Sequence, residues 1–136
     1  MTEKVLHQYQ NFVEAITSAA SNDVDALIAR LQELKCDHTA NYALLNTVGI
    51  GLPSEAGEFS DIVKKVIFHG KPLDLETRRK LSKELGDILW YWMNACRALD
   101  LDPYSVINEN VEKLEARHPA GKFNIHFEST RTATDS

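Results

Sequence analysis

The 136-residue sequence holds only two cysteines, Cys36 and Cys96, set far apart and in no CxxC or Cys/His spacing. That excludes a disulfide scaffold and a cysteine zinc site, and leaves two free thiols of the kind a reducing compartment preserves. Long apolar runs are missing as well. The longest, residues 88–93, falls far short of the roughly 20 residues that a membrane-spanning helix needs. Met1-Thr2-Glu3-Lys4 lacks the apolar stretch of a signal peptide, so a cytoplasmic protein with no membrane partner is expected. Positive charge is scarce: 15 Lys and Arg stand against 20 Asp and Glu, for a net charge of −5. Sequence-independent nucleic-acid binding relies on rows of basic side chains facing phosphates, so no nucleic-acid partner is expected either. The five histidines are scattered, with no HExxH or HxxxH spacing and no pair of Glu-x-x-His motifs. This argues against zinc hydrolases and di-iron carboxylate bundles.

What the chain has in abundance is helical periodicity. Val5, Tyr9, Phe12, Ile16 and Ala20 recur on one face of a helix over about residues 4–20. Ser21-Asn22-Asp23 interrupts it and supplies an N-cap for a second helix carrying Val24, Leu27, Ile28, Leu31 and Leu34. Residues 35–39 read as a polar loop. From Tyr42 the pattern resumes, punctuated by Gly49, Gly51 and Pro53. That predicts a kinked helix, or a fresh start with Pro53 in the first turn, running to about Phe68 and stopping at Gly70-Lys71-Pro72. Asp74 can cap a long helix to about Leu99, and Asp102-Pro103 opens a last one ending near Arg117. Phe123, Ile125 and Phe127 alternate in what reads as an extended tail, and the polar residues 128–136 read as disordered. The prediction is one all-α domain over residues 1–127, a bundle of about four to five helices.

Two stretches depart from ordinary amphipathic helix. Glu55 and Glu58, then Glu84 and Asp87, are carboxylate pairs at i and i+3, each with a glycine between them (Gly57 and Gly86). On a helix this spacing puts both side chains on one face with Cβ atoms ~5–6 Å apart. On the second helix Leu81, Leu85, Ile88, Leu89, Trp92, Cys96 and Leu99 form an apolar stripe, while Glu84, Asp87 and Tyr91 lie together on a different face. On the first, Glu55 and Glu58 border the stripe of Leu52, Ala56, Phe59, Val63 and Val66. Carboxylates at the margin of a core are costly unless paired or bound to a metal. Mg²⁺, hard and oxygen-seeking, suits such a set, with Mn²⁺ a possible substitute. Acidic pairs such as Glu109/Glu112 also occur on plainly solvated faces, so the weight rests on two pairs with internal glycines. Glycine inside a helix is ~1 kcal/mol worse than alanine, and the close approach of a metal, ligand or neighbouring helix would account for it.

The E-x-x-E and E-x-x-D pairs, in the segments GLPSEAGEFSDIVKK (residues 51–65) and KELGDILWY (residues 83–91), resemble the motif helices of the MazG-like all-α nucleoside triphosphate pyrophosphohydrolases. Asn110-x-x-Lys113-x-x-x-Arg117 resembles the family's trailing element. The resemblance implies Mg²⁺ ligation and catalysis by Glu55, Glu58, Glu84 and Asp87, and phosphate contacts from Asn110, Lys113 and Arg117. It implies hydrolysis of a (deoxy)nucleoside triphosphate to a monophosphate and pyrophosphate, and a homodimer or a dimer of dimers, hence a homotetramer. Lys65 shares the face of Glu58 two turns on and is a further candidate for phosphate contact. Two alternatives stand beside this one: a related pyrophosphatase acting on dUTP or phosphoribosyl-ATP, and a non-enzymatic helical interaction module. Trp90, Tyr91, Trp92, Phe59 and Phe123 are the aromatics available to stack on a base.

Overall fold

The computed structural model describes residues 2–119 and Gly121, so Phe123, Ile125, Phe127 and the polar segment 128–136 lie outside the described residues. Among the described residues the structure is all-α: α1 (Thr2–Ile16), α2 (Ala19–Asn22), α3 (Val24–Lys35), α4 (Tyr42–Phe68), α5 (Leu75–Ala98) and α6 (Pro103–Arg117). No helix among them is long and apolar enough to cross a membrane. The chain divides into two compact units, residues 1–42 and residues 43–136.

In the first unit the periodicity over residues 4–20 does not yield one helix. α1 ends at Ile16, and Ser18 is extended (φ −62°, ψ 152°) ahead of the four-residue α2. Local side chains compete for the backbone there, as short polar residues do at helix ends. Thr17 Oγ1 donates to the Val13 carbonyl at 2.7 Å, and Asn22 Nδ2 donates to the Glu14 and Thr17 carbonyls at 3.2 and 3.3 Å. Asp23 then caps α3, its carboxylate accepting from the Asp25 N–H at 2.9 Å.

In the second unit α4 is one helix of 27 residues with Pro53 in its interior, and no fresh start occurs there. Pro53 has no N–H for the Gly49 carbonyl, and a ring at this point crowds that carbonyl. Gly49 is exposed, so water can reach the freed group. Gly70, with φ +67°, ends the helix in the left-handed region, where the Lys71 N–H reaches back to the Lys65 carbonyl at 3.2 Å. Asp74 caps α5, accepting from the Thr77 N–H at 2.8 Å. At the far end Asp100 (φ 53°) closes a Schellman turn in which the Leu101 N–H bonds the Cys96 carbonyl at 2.9 Å. Asp102 caps α6 by accepting from the N–H groups of Tyr104 and Ser105, both at 3.3 Å, with Pro103 in the first turn.

Among the described residues of this unit, few are buried: Val48, Gly51, Asn94, Cys96 and Ala98. Asn94 is 5% exposed and engaged at both ends of its amide, donating to the Trp90 carbonyl at 3.0 Å and accepting from Arg97 Nη1 at 2.7 Å. The apolar stripe read along α5 exists, but it is left largely open, with Leu85 54% and Leu89 59% exposed.

Two outcomes follow for stability. Gly70→Ala forces a side chain into the left-handed region and lowers unfolding free energy by about 1–2 kcal/mol. Gly86→Ala, in a helix interior with nothing within 4 Å of the added methyl, raises it by about 0.5–1 kcal/mol; urea unfolding reads both. The Asp102 carboxyl is held below its ordinary value by the Ser105 hydroxyl and the backbone N–H groups it accepts from. Its stabilisation is therefore complete near neutral pH and fades as pH falls below about 4. The difference in melting temperature between the native chain and Asp102→Ala should shrink over that range.

Candidate metal centre

α4 and α5 run past each other in opposite directions: Gly51, early in α4, meets Tyr91, late in α5, while Glu55 and Glu58 meet Glu84 one to two turns away. Each acidic pair is on one face of its helix because i and i+3 differ by only ~60° in rotation. One carboxylate oxygen from each of Glu55, Glu58 and Glu84 lies within 4.8 Å of the other two. Glu55 and Glu84 are half-buried and Glu58 is exposed. The Glu55 carboxyl is pushed up, first by loss of solvent and then by the negative charges of Glu58, Asp87 and Glu84. Asp87 is thus close enough to be felt, but it is exposed and stands outside the set of three.

Three crowded carboxylates with no histidine or thiol among them are a donor set for a hard divalent cation, which would relieve the repulsion that raises Glu55. Glu58 also borders a hollow of about 500 Å³ with Ser54, Gly57, Asp61, Ile62 and Lys65. Lys65 therefore shares a recess with one of the acids. Asp61 is ion-paired to both Lys64 (2.6 Å) and Lys65, which hold its carboxyl down to about 2. Its negative charge is thereby engaged by two ammonium groups and it does not join the three glutamates. Ser54 was open to detection in the sequence, because positions 54, 58, 61 and 65 form a single helical row.

The remaining candidates lie elsewhere. Asn110 and Lys113 line a separate hollow of about 720 Å³ with Leu89, Trp92, Val106, Ile107 and Glu109, and none of the four acids borders it. Arg117, half-buried in the last turn of α6, lines neither hollow. Gly57 and Gly86 also differ from expectation. Among the described residues, no other helix comes within 4 Å of where their Cβ would be, so neither is explained by a neighbouring helix. The close approach occurs at Gly51, where a Cβ would lie 2.0 Å from Cε1 of Tyr91.

The second unit contains the segment that matches a family model, that of the MazG nucleotide pyrophosphohydrolase domain, over residues 45–122. Among curated proteins, the chain is 36% identical over 78 residues to the Gene 37 protein of Mycobacterium phage L5, a match covering 57% of this chain and 68% of the phage protein. No solved structure gives a significant match. With the family model spanning more than half of its length and the acidic pairs of α4 and α5 inside the matched segment, the chain belongs to the MazG nucleotide pyrophosphohydrolase domain family.

Proposed function

We propose that this domain hydrolyses (deoxy)nucleoside triphosphates to nucleoside monophosphate and pyrophosphate in the presence of Mg²⁺, with Mn²⁺ able to replace it. The observation that carries this reading is the convergence of Glu55, Glu58 and Glu84 from two helices to within 4.8 Å. These three would hold the cation, and Asp87, whose charge already reaches Glu55, would complete the acidic face. When bound, such a cation screens the triphosphate and makes water more acidic. Carboxylate oxygens not engaged in binding would serve as bases toward an attacking water. Lys65, in the recess bordered by Glu58, would meet a phosphate, with Asp61 fixing the direction of its ammonium group. Asn110 and Lys113 border the other hollow and Arg117 borders neither, so Lys65 is the basic side chain on which the reading relies. The free cysteines, Cys36 and Cys96, suit a cytoplasmic setting.

The same reading includes self-association. Leu85, Leu89, Trp90 and Met93 on α5, and Ile107, Val111 and Leu114 on α6, are all exposed. Apolar surface of this extent marks an association site, and most soluble oligomers pair identical subunits. Light scattering should give the mass of two or four chains; a mass of 15.3 kDa contradicts this part of the proposal.

The activity is tested by substitution. Glu84→Gln and Asp87→Asn should each lower turnover by roughly 10²-fold or more while far-UV helicity is unchanged. Mg²⁺ should raise the melting temperature of the native chain and not that of Glu84→Gln. Unaltered turnover in either variant, or no Mg²⁺-dependent shift in the native chain, defeats the proposal. A panel of nucleotides including dUTP and phosphoribosyl-ATP, with pyrophosphate and orthophosphate measured separately, identifies the substrate.

A further inference from the structure

Gly51 is buried in α4, one helical turn before Glu55, and Tyr91 is one turn after Asp87 in α5. The layer of contact next to the carboxylates is therefore the Tyr91 ring lying on the bare backbone of Gly51. A Cβ on Gly51 would be 2.0 Å from Cε1, 2.2 Å from Cζ and 2.7 Å from the phenolic oxygen of Tyr91. The obstacle is the outer end of the Tyr91 side chain, which can give way only by turning the whole ring. Its freedom is reduced further by Trp90, whose ring stands perpendicular to it with centroids 4.9 Å apart. Elsewhere along the motif helices the glycines at 49, 57 and 86 have open space, so this is the one glycine among them that a neighbouring helix requires.

We infer that the Gly51–Tyr91 contact sets the separation of α4 and α5 beside the carboxylates, and thereby their preference for a small cation over a larger one. The inference rests on the proposed function's reading of Glu55, Glu58 and Glu84 as a cation site. Mg²⁺ demands near-ideal octahedral geometry at about 2.0–2.1 Å, whereas Ca²⁺ accepts oxygens at about 2.3–2.6 Å in flexible arrangements. Glu84 comes from a different helix than Glu55 and Glu58, so a small increase in helix separation penalises the smaller ion more. Tyr91 and Gly51 act through the glutamates and are positioning residues. Aromatic bulk, not the hydroxyl, is what the role requires.

The test is calorimetric titration of the intact chain with Mg²⁺ and, separately, with Ca²⁺. Gly51→Ala should weaken Mg²⁺ binding roughly tenfold or more, as loss of a supporting contact around a metal site does, and weaken Ca²⁺ binding distinctly less. A residue needed only for folding would lower the melting temperature without altering the ratio of the two affinities. Tyr91→Phe should retain the native ratio, and Tyr91→Leu, which removes the spacer and lets the helices close, should raise it. Gly51→Ala made in the Tyr91→Leu background should change the ratio little, because the obstacle is gone. Should Gly51→Ala fail to fold, the Tyr91→Phe and Tyr91→Leu pair carries the same comparison. An unchanged ratio in Gly51→Ala or in Tyr91→Leu, or a lowered ratio in Tyr91→Phe, overturns the inference while leaving the cation site intact. Absence of binding of both ions to the native chain overturns the proposed function and this inference with it.

Discussion

Like charges held close together are the constraint on which the proposed function of this molecule depends. Glu55, Glu58 and Glu84 lie within 4.8 Å of one another, with Asp87 near enough to add to the repulsion. Like charges this close make ionising the whole set costlier, and a bound cation removes that cost. A chain gains nothing in stability from such an arrangement, and the Glu55 carboxyl is pushed up, first by loss of solvent and then by its acidic neighbours. The proposed cation would supply the compensation that the fold itself does not.

The surroundings of the acids are graded along the two helices. Toward the end of α4 lie Lys64 and Lys65, tied to Asp61; toward its start, Gly51 receives Tyr91, with Trp90 beside the ring. One flank of the cluster is therefore basic and the other aromatic. A nucleoside triphosphate carries negative charge at one end and a flat aromatic base at the other, so the two flanks differ in the same sense as the two ends of the proposed substrate.

How much of this was readable from the residues alone depends on the range of the interaction. Caps and stops are decided within a few positions: Asp23, Asp74 and Asp102 accept from N–H groups two or three residues on, and Gly70 supplies the left-handed turn. Carboxylates at i and i+3 share a face by helical geometry. Beyond one helix the reading weakens. The break after Ile16 arises because Thr17 and Asn22 bond the carbonyls at the end of α1, which apolar periodicity cannot register. Pro53 stays inside α4 although it forfeits a rung of the ladder. Asn110 and Lys113 do share a face of α6, but the face opens on Leu89 and Trp92 instead of the acids, a matter of how α6 is rotated against α5. Gly57 and Gly86 drew notice because they sit between acids, whereas the glycine in contact with a second helix is Gly51.

The convergence of the three glutamates on one cation is tested most directly by anomalous diffraction from crystals grown with Mn²⁺. A peak bounded by Glu55, Glu58 and Glu84, with oxygens from both α4 and α5 in its coordination shell, is the predicted result. A map with no peak there, or with Mn²⁺ bound only at other carboxylates, would contradict the account.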